Sequence, residues 1–358
     1  IVSVFNMMGS VRLLPASACG QNMYRRGRVM NLEKVAVINI TSFGREFPKH
    51  LQELEERVGP VDKMLLPADM DGEALASRLK GYTYVLLGNY PSFDEAFFSR
   101  NQDVKLIARH GIGFNNVDLE SSRRHGVYVT HIQNYVELDA VAEQAAALLM
   151  AVSKHVVIAD RKVHEGNWNK DRQELMGFQL RGCTTGVIGC GHIGTRFAMI
   201  MKYGFHNRIL AYDPYADKDK VMAEGIQLCD LDTLLRESDF ISLHANLTEN
   251  SRHLINAEAL AKMKDRAILI NTGRGPLVDE AAVLDALKSG RLSGYGADVA
   301  AHEPMEKDDP LLTCDQAVIT PHSAIYNYTC MKNMNRKVME DIYCMQRGER
   351  PVEIINGL

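Results

Sequence analysis

Short apolar runs alternate with amphipathic stretches along most of the chain from Val35 onward. The first run, residues 35–40, is continuous and contains β-branched residues, which is typical of a strand buried on both faces. Comparable runs predict four more strands, at residues 63–66, 84–87, 104–108 and 127–130. Amphipathic spacing between them predicts helices at 47–58 and 72–80. This alternation predicts a parallel sheet with helices on both faces.

A second cycle of the same kind follows a long helix rich in alanine and leucine, predicted at residues 139–157. Its predicted strands are 185–188, 208–212, 240–243, 267–271, 294–298 and 317–320. Its clearest predicted helices are 231–237, 256–263, 279–289 and the last one, 328–347. The chain is therefore predicted to be α/β, with two doubly wound parallel-sheet domains and a cleft between them. Ligands of such sheets bind at the carboxyl ends of the strands.

Composition narrows the class of protein. The 358 residues are enough for two domains, and 46% of them are apolar. A net charge of −4 argues against a nucleic-acid partner, and no apolar run reaches the 18 or more residues of a membrane helix. The seven cysteines form no C-x-x-C pair, which fits a reducing compartment and no zinc site. We expect a cytoplasmic protein without metal, preceded by a disordered leader at residues 1–30.

A glycine-rich turn follows the strand predicted at 185–188. Gly189, Gly191 and Gly194 have the spacing G-x-G-x-x-G and open a helix predicted at 193–203. The first glycine permits a tight turn, the second lets the backbone approach a pyrophosphate, and the third lets the helix and strand pack closely. The backbone of His192 and Ile193, at the helix N-terminus, is expected to contact the phosphates. This pattern predicts a dinucleotide site.

The next strand sharpens that prediction. It ends in Asp213, 19 positions after Gly194, close to the spacing of about 20 for a carboxylate that binds the ribose hydroxyls. A carboxylate there repels a 2′-phosphate, so the expected cofactor is NAD. The alternative is that Asp213 is only a turn residue before Pro214.

Three polar residues at later strand ends have the chemistry that reduction of a 2-keto acid needs. Arg274 follows a buried strand in a glycine-lined turn and suits bidentate recognition of a carboxylate. His322 follows the last strand and can act as acid and base near neutral pH. Glu303 precedes a proline and can orient the histidine and favour its charged form. We predict that these three side chains converge.

These motifs resemble those of the D-isomer-specific 2-hydroxyacid dehydrogenases. The resemblance covers roughly residues 35–347 and is carried by the runs at 187–194, 241–244, 271–275, 298–304 and 320–322. It implies a Rossmann NAD-binding domain, residues 136–321, inserted in a flavodoxin-like substrate domain, residues 31–135 and 322–358. It also implies a homodimer that moves a hydride between NAD and C2 of a small D-2-hydroxy acid or its 2-keto acid.

The resemblance further implies roles for individual residues. Arg274 would bind the substrate, Glu303 would be the partner of the histidine, and His322 would be the proton donor. The backbone N–H groups of Ile112 and Gly113, in the loop 109–118, would hold the substrate carboxylate. The residues implied along the cofactor are His244, Ala245, Asn246, Ser251, Thr272, Gly273, Arg274 and, at the nicotinamide carboxamide, Asp298.

Some questions stay open at this point. Asn246 stands where the family usually has proline, and Ile325 stands where the lactate-specific branch tends to have an aromatic residue. The acid could therefore be lactate, glycerate, glycolate, phosphoglycerate or a longer one. Candidates for its side-chain pocket are Phe43, Arg45, Asn89 and Tyr90. The alternative function is an NADH-responsive corepressor of the same fold, which would need a peptide groove and long tails.

Overall fold

Two separate parallel sheets organise the protein. The computed structural model describes residues 33–168 and 172–358, so the leader predicted at 1–30 lies outside the described residues. In the first sheet the strands are β1 (Val35–Ile38), β2 (Val61–Met64), β3 (Tyr84–Leu87), β4 (Leu106–Arg109) and β5 (Tyr128–Thr130). Their order across the sheet is β2-β1-β3-β4-β5, and every pairing is parallel. This is the flavodoxin-like order, as expected.

The second sheet has seven strands. They are β6 (Thr184–Ile188), β7 (Arg208–Tyr212), β8 (Gln227–Leu228), β9 (Phe240–Leu243), β10 (Ala267–Asn271), β11 (Leu292–Ala297) and β12 (Ala317–Ile319). The order is β12-β11-β10-β9-β6-β7-β8, all parallel. The chain order reverses between β6 and β9, which is the switch point where a Rossmann sheet binds its ligand. The predicted fold class is confirmed.

Twelve α-helices are described. Those around the first sheet are α1 (Pro48–Arg57), α2 (Gly72–Arg78), α3 (Glu95–Phe98) and α4 (Leu119–Arg124). The next are α5 (Asn134–Ser153) and α6 (Val156–His164). Around the second sheet lie α7 (His192–Met199), α8 (Lys218–Ala223), α9 (Leu231–Glu237), α10 (Ala257–Lys262) and α11 (Glu280–Lys288). The last helix is α12 (Tyr328–Gln346).

Helices α5 and α12 link the two sheets. Helix α5 begins beside the first sheet, where Ala140 packs in its core, and continues across β10 and β11 of the second. Helix α12 follows the last strand of the second sheet, yet its apolar side chains, among them Met334, Val338 and Ile342, complete the core of the first. The chain thus crosses between the sheets twice.

The helix predicted at 139–157 is in fact two helices. Helix α5 ends at Ser153, and α6 starts after His155, whose φ is +52°. The carbonyl of Ser153 accepts a hydrogen bond from the Phe178 backbone N–H (2.9 Å), which binds that carbonyl to a distant loop. An added Cβ at Gly177 would lie 2.0 Å from the same oxygen. The loop therefore fills the space beside the Ser153 carbonyl and donates a hydrogen bond to it.

A second predicted helix, 193–203, also differs. Helix α7 ends at Met199 and continues as one π-helical turn, Ile200–Gly204. Elsewhere the strand bounds at 84–87, 208–212, 240–243 and 267–271 agree with the prediction. The prediction missed several short elements, namely α3, α4, α8 and β8. Phe43 is fully buried in the first core, so it is wrong as a candidate for the substrate pocket.

Candidate active site

The glycine turn joins β6 to α7 at the switch point of the second sheet. Gly189 has φ +87°, and an added Cβ would lie 2.6 Å from the backbone nitrogen of Ala245. An added Cβ at Gly194 would lie 2.0 Å from the carbonyl oxygen of Gly189. At Gly191 an added Cβ would meet nothing within 4 Å. Packing therefore requires the first and third glycines, whereas the second faces open space that a ligand can enter.

The start of α7 is suited to an anion. Eight helices begin with an Asp or Asn side chain that accepts a backbone N–H: α2, α3, α4, α8, α9, α10, α11 and α12. Helix α7 instead begins after Gly191, with no side-chain cap. The N–H groups of its first turn, which includes His192 and Ile193, are left for another acceptor. These residues fit the pyrophosphate of a dinucleotide.

Asp213 lies just beyond β7 and is bonded to the glycine turn. Its Oδ2 accepts a hydrogen bond from the backbone N–H of Cys190 (2.8 Å), and its Oδ1 accepts one from Tyr215 (2.9 Å). The half-buried carboxylate is thereby held beside the turn. Each oxygen keeps acceptor capacity, so the predicted contact with ribose hydroxyls is compatible with this geometry.

The residues predicted along the cofactor lie at the ends of β9 and β10. The imidazole of His244 contacts Ser242 Oγ through Nε2 (2.9 Å) and Thr272 Oγ1 through Nδ1 (3.3 Å). Burial lowers the pKa of His244 to about 3, so the ring is neutral. In the following loop, Ser251 Oγ donates to the carbonyl of Asn246 (2.8 Å). These residues therefore lie at the same edge of the second sheet as the glycine turn.

A hydrogen-bonded turn after β10 holds Arg274. The buried Asn271 side chain donates to the Arg274 carbonyl (3.0 Å) and accepts from the Gly273 N–H (3.0 Å). The Arg274 guanidinium donates from Nη1 to the Gly273 carbonyl (2.7 Å). No carboxylate lies within 4.0 Å of it among the residues described. Its remaining donors are therefore free to bind an anion.

The loop after β4 approaches Arg274 from the other sheet. An added Cβ at Gly113 would lie 2.9 Å from Arg274 Nη2. The loop is shaped by buried Arg109, which donates from Nε to the Gly113 carbonyl (2.9 Å) and from Nη1 to the Leu87 carbonyl (2.6 Å). His131 Nδ1 contacts the Ile112 carbonyl (3.0 Å). The structure thus brings Ile112 and Gly113 together with Arg274.

Glu303 and His322 form the predicted pair. His322 Nδ1 lies 2.7 Å from Glu303 Oε2, and Glu303 Oε1 accepts from the Ala300 N–H (3.0 Å). Burial alone would raise the pKa of Glu303, but the hydrogen bond and charge of His322 outweigh it and leave that pKa below its ordinary value. Glu303 therefore orients the imidazole through Nδ1, while Nε2 has no hydrogen-bond partner within the described residues.

Asp298 fixes the loop that carries this histidine. Its Oδ1 accepts from Thr320 Oγ1 (2.5 Å) and the Ser323 N–H (3.0 Å), and its Oδ2 accepts from the Ala324 N–H (2.8 Å). His322 itself has φ +50°, a strained conformation that the loop must maintain. Asp298 is 2% exposed, so the structure gives it a bracing role that the sequence did not predict.

Three other residues near the site were missed or assigned no role by the sequence. Gln144 on α5 donates to Thr320 Oγ1 (3.1 Å) and so links the helix to the histidine loop. Arg109 organises the loop of Gly113. Glu137 is a buried carboxyl beside that loop, and the predicted helix began two residues after it. Only Gln144 had a signal, as a polar residue in an apolar helix.

The described ranges, 33–168 and 172–358, contain no metal-binding cluster and no single apolar helix of membrane-spanning length. No three His, Cys, Asp or Glu side chains there are grouped so as to hold a metal ion. No single helix there is long and apolar enough to cross a membrane. Among the described residues, only α5 from Val136 and α6 together, bent by 59° at the break between them, have such a length and composition.

Comparison with known proteins bears on this geometry. Residues 146–324 match the family described as "D-isomer specific 2-hydroxyacid dehydrogenase, NAD binding domain". A glyoxylate reductase from Korarchaeum cryptofilum is 36% identical over 304 residues, 84% of this chain and 88% of that protein. A hydroxypyruvate reductase from Thermotoga maritima is 38% identical over 244 residues, 68% of this chain and 78% of that protein.

Solved structures agree with the sequence relatives. A D-lactate dehydrogenase from Aquifex aeolicus, complexed with NAD and lactic acid, aligns with a TM-score of 0.75 and 28% identity, over 90% of this chain and 99% of that one. These relatives are named as enzymes, which does not favour the corepressor alternative. NAD is the cofactor expected from the sequence and supported by the matched domain. The chain belongs to the family of D-isomer-specific 2-hydroxyacid dehydrogenases and is an NAD-dependent enzyme of that class.

Proposed function

We propose that this enzyme reduces small 2-keto acids of the glyoxylate and hydroxypyruvate class, with His322 as the proton donor. The observation that carries the proposal is the pairing of His322 Nδ1 with Glu303. Both residues follow strands of the second sheet, as does Arg274, whose guanidinium lies close to Gly113 of the first sheet. An acid, its orienting carboxylate and an unpaired cation thus belong to one site. The names of the relatives supply the substrate class.

Arg274 and the Gly113 loop are proposed to bind the substrate carboxylate. The guanidinium has donors that no carboxylate within 4.0 Å uses in the described residues, and Gly113 lacks the Cβ that would collide with Nη2. Backbone N–H groups at Ile112 and Gly113 would complete the anion site. A planar guanidinium can bind both carboxylate oxygens, which fixes the direction of the neighbouring C2 carbonyl.

His322 is proposed to give its Nε2 proton to the carbonyl oxygen. The glycine turn between β6 and α7 would hold NADH, which would supply the hydride for C2. The carbonyl oxygen would then take the electron pair of the carbonyl π bond and gain negative charge. The imidazolium donates a proton to that oxygen and becomes neutral, which gives the 2-hydroxy acid. Glu303 stabilises the imidazolium and keeps Nδ1 occupied, so Nε2 is the nitrogen that transfers the proton.

The test follows NADH absorbance with glyoxylate, hydroxypyruvate, pyruvate and longer 2-keto acids. We expect glyoxylate or hydroxypyruvate to give the highest kcat/KM. His322→Gln should lower kcat by about 10²- to 10⁴-fold, the usual contribution of a general acid. NADH binding, measured by fluorescence, should be unchanged because the glycine turn is intact.

The matched control is His302→Gln, an exposed histidine next to Glu303 in the chain. It should keep wild-type rates. A His322→Gln enzyme with near-normal kcat on the best substrate would contradict the role of His322. Failure of every 2-keto acid in the panel would contradict the proposed substrate class.

The proposal also includes the organisation of the molecule. The substrate domain would comprise residues 31–135 and 322–358, and the NAD domain residues 136–321, because α12 packs in the core of the first sheet. A homodimer is supported by exposed apolar side chains on and after α6: Val156, Val157, Val163, Trp168 and Met176. A cytoplasmic location is supported by six free cysteines in the described residues.

A further inference from the structure

Glu137 is a buried carboxyl that the proposed reaction does not use. It lies in the first turn of α5 and is only 6% exposed. Its Oε1 is inaccessible to solvent and has no hydrogen-bond partner among the described residues. The backbone N–H of Ile112 acts on this carboxyl and favours its charged form. Glu137 therefore lies next to an amide that is proposed to hold the substrate carboxylate.

The titratable groups around Glu137 come from four separate segments. Arg109 at the end of β4, Arg274 after β10 and His322 after β12 all favour its negative form, and the thiol of Cys330 on α12 also feels its charge. Arg109 is committed to the carbonyls of Leu87, Gly88 and Gly113 and to the side chain of Asn89. His322 is committed to Glu303. Arg274 is thus the cation left for an incoming anion.

A substrate carboxylate would add a second negative group to this enclosure. Two carboxylates that share one cation away from water repel each other, and one of them then binds a proton. Burial already raises the pKa of Glu137 to about 7, although the Ile112 N–H, Arg109, Arg274 and His322 lower it in part. Glu137 therefore changes charge near neutral pH even before substrate arrives. The substrate carboxylate, held by Arg274, keeps its negative charge in this pH range.

We propose that the 2-keto acid carboxylate binds only when Glu137 carries a proton, so that substrate binding is coupled to proton uptake at this residue. The inference rests on the proposed function, since it takes Arg274 and the Gly113 loop as the carboxylate site. Glu137 acts here as a positioning and binding residue. Its neutral form removes the repulsion and offers a hydrogen-bond donor, which gives the unpartnered Oε1 a partner in the complex.

The experiment measures binding of oxamate, an unreactive carboxylate of the same shape as pyruvate, to the enzyme with NADH. Dissociation constants are taken from NADH fluorescence between about pH 6 and about pH 9. In the wild type, above about pH 7, the dissociation constant should rise roughly tenfold more per pH unit than in Glu137→Gln, because one linked proton is missing from the variant. The two proteins differ only at residue 137, so the difference between their pH profiles reports on Glu137.

The matched control is Glu143→Gln, an exposed carboxyl on the same helix, which should follow the wild-type pH profile. Equal pH dependence in the wild type and Glu137→Gln overturns the inference while the proposed function stands. Absence of oxamate binding by the wild type at every pH overturns the proposed function and this inference with it. These two failures are therefore distinguishable.

A second measurement needs no variant and covers the case in which Glu137→Gln does not fold. Infrared difference spectra of the wild type with NADH, recorded at about pH 8, should gain the carbonyl band of a protonated carboxyl when oxamate binds. A spectrum without that gain overturns the inference. Calorimetry in buffers of different ionisation enthalpy should show net proton uptake in the same step.

Discussion

Arg274 is available to a substrate because its own turn satisfies its backbone. Asn271 binds both the Arg274 carbonyl and the Gly273 N–H, so the side chain leaves the turn in a fixed direction. The guanidinium uses one donor on the Gly273 carbonyl and has no carboxylate within 4.0 Å in the described residues. A planar cation in this position recognises a carboxylate by geometry as well as by charge.

Replacing the planar guanidinium of Arg274 by the point charge of a lysine should therefore weaken binding of the substrate carboxylate. We expect Arg274→Lys to raise the KM for the best 2-keto acid by about 10- to 100-fold, the value of one or two charge-assisted hydrogen bonds. The measurement is an NADH-coupled saturation curve. Arg252→Lys, at an exposed position in the same domain, is the control and should leave KM unchanged. An unchanged KM in Arg274→Lys would show that another group binds the carboxylate.

The sequence predicted that Arg274, Glu303 and His322 converge because each lies at a strand end within a recognisable motif, and the structure places Glu303 against His322. The sequence did not identify Glu137, because the proposed role of this carboxyl depends on its burial and on groups from four distant segments. Asp298 was predicted at the cofactor, and the loop it braces could not be foreseen, since Ser323 and Ala324 reach it across about 25 positions of sequence. The local sequence pattern predicts which residue type lies at a strand end, whereas the contacts of that residue depend on how the whole chain folds.

At the scale of elements, the same limit explains the helix break at Lys154. The apolar pattern of α5 continues into α6, so periodicity predicts one helix. The loop at Gly177 and Phe178 ends α5 by occupying the Ser153 carbonyl, and no local residue signals this. By contrast, strands such as β7 and β10 are bounded by their own polar and turn residues and were predicted with correct ends.

Helix α12 contains a buried ion pair that anchors it to the first sheet. Lys337 Nζ donates to both oxygens of Asp341 (2.7 Å) and to the Val352 carbonyl (3.0 Å), while Asp341 also accepts from Thr130 Oγ1 on β5 (2.7 Å). Burial raises the pKa of Asp341 to about 6, although Lys337 and Thr130 oppose this. The buried charges of Lys337 and Asp341 compensate each other only while both residues are present.

Removing the cation should destabilise the protein more at high pH than at low pH. Lys337→Met is expected to lower the free energy of unfolding by about 3–5 kcal/mol at about pH 8, because it leaves Asp341 charged and unpaired. Since a raised pKa means stability that is lost as pH rises, protonation of Asp341 should reduce the loss at about pH 5. Urea unfolding at both pH values measures this. Lys332→Met, exposed on α12, should change little.

At the scale of the whole molecule, the site depends on two sheets that meet through a few residues. Gly113 from one sheet and Arg274 from the other approach so closely that a single methyl group would separate them. Helix α5 spans both sheets, with Glu137 at one end and Val152 packed against Gly294 near the other. The fold class could be predicted from alternation alone, whereas this contact between sheets could not.

The proposed homodimer belongs to this scale. Introducing charge on α6, with Val157→Glu and Val163→Glu together, should convert a dimer into monomers while the circular dichroism spectrum stays unchanged. Light scattering provides the measurement. The control is Tyr215→Glu, at a residue that is 88% exposed and lies far from α6 in the sequence. This change should leave the mass of the assembly unchanged. A wild type that scatters as a single chain would remove the dimer from the proposal.

The late position of α12 has a consequence for biosynthesis. Every strand of the second sheet is synthesised before Met334, Val338 and Ile342, yet these residues complete the core of the first sheet. At about 5–20 residues per second, the first five strands wait roughly 10–40 s with part of their apolar face uncovered. Nascent chains therefore present a temporary binding surface for chaperones on the half of the molecule that was translated first.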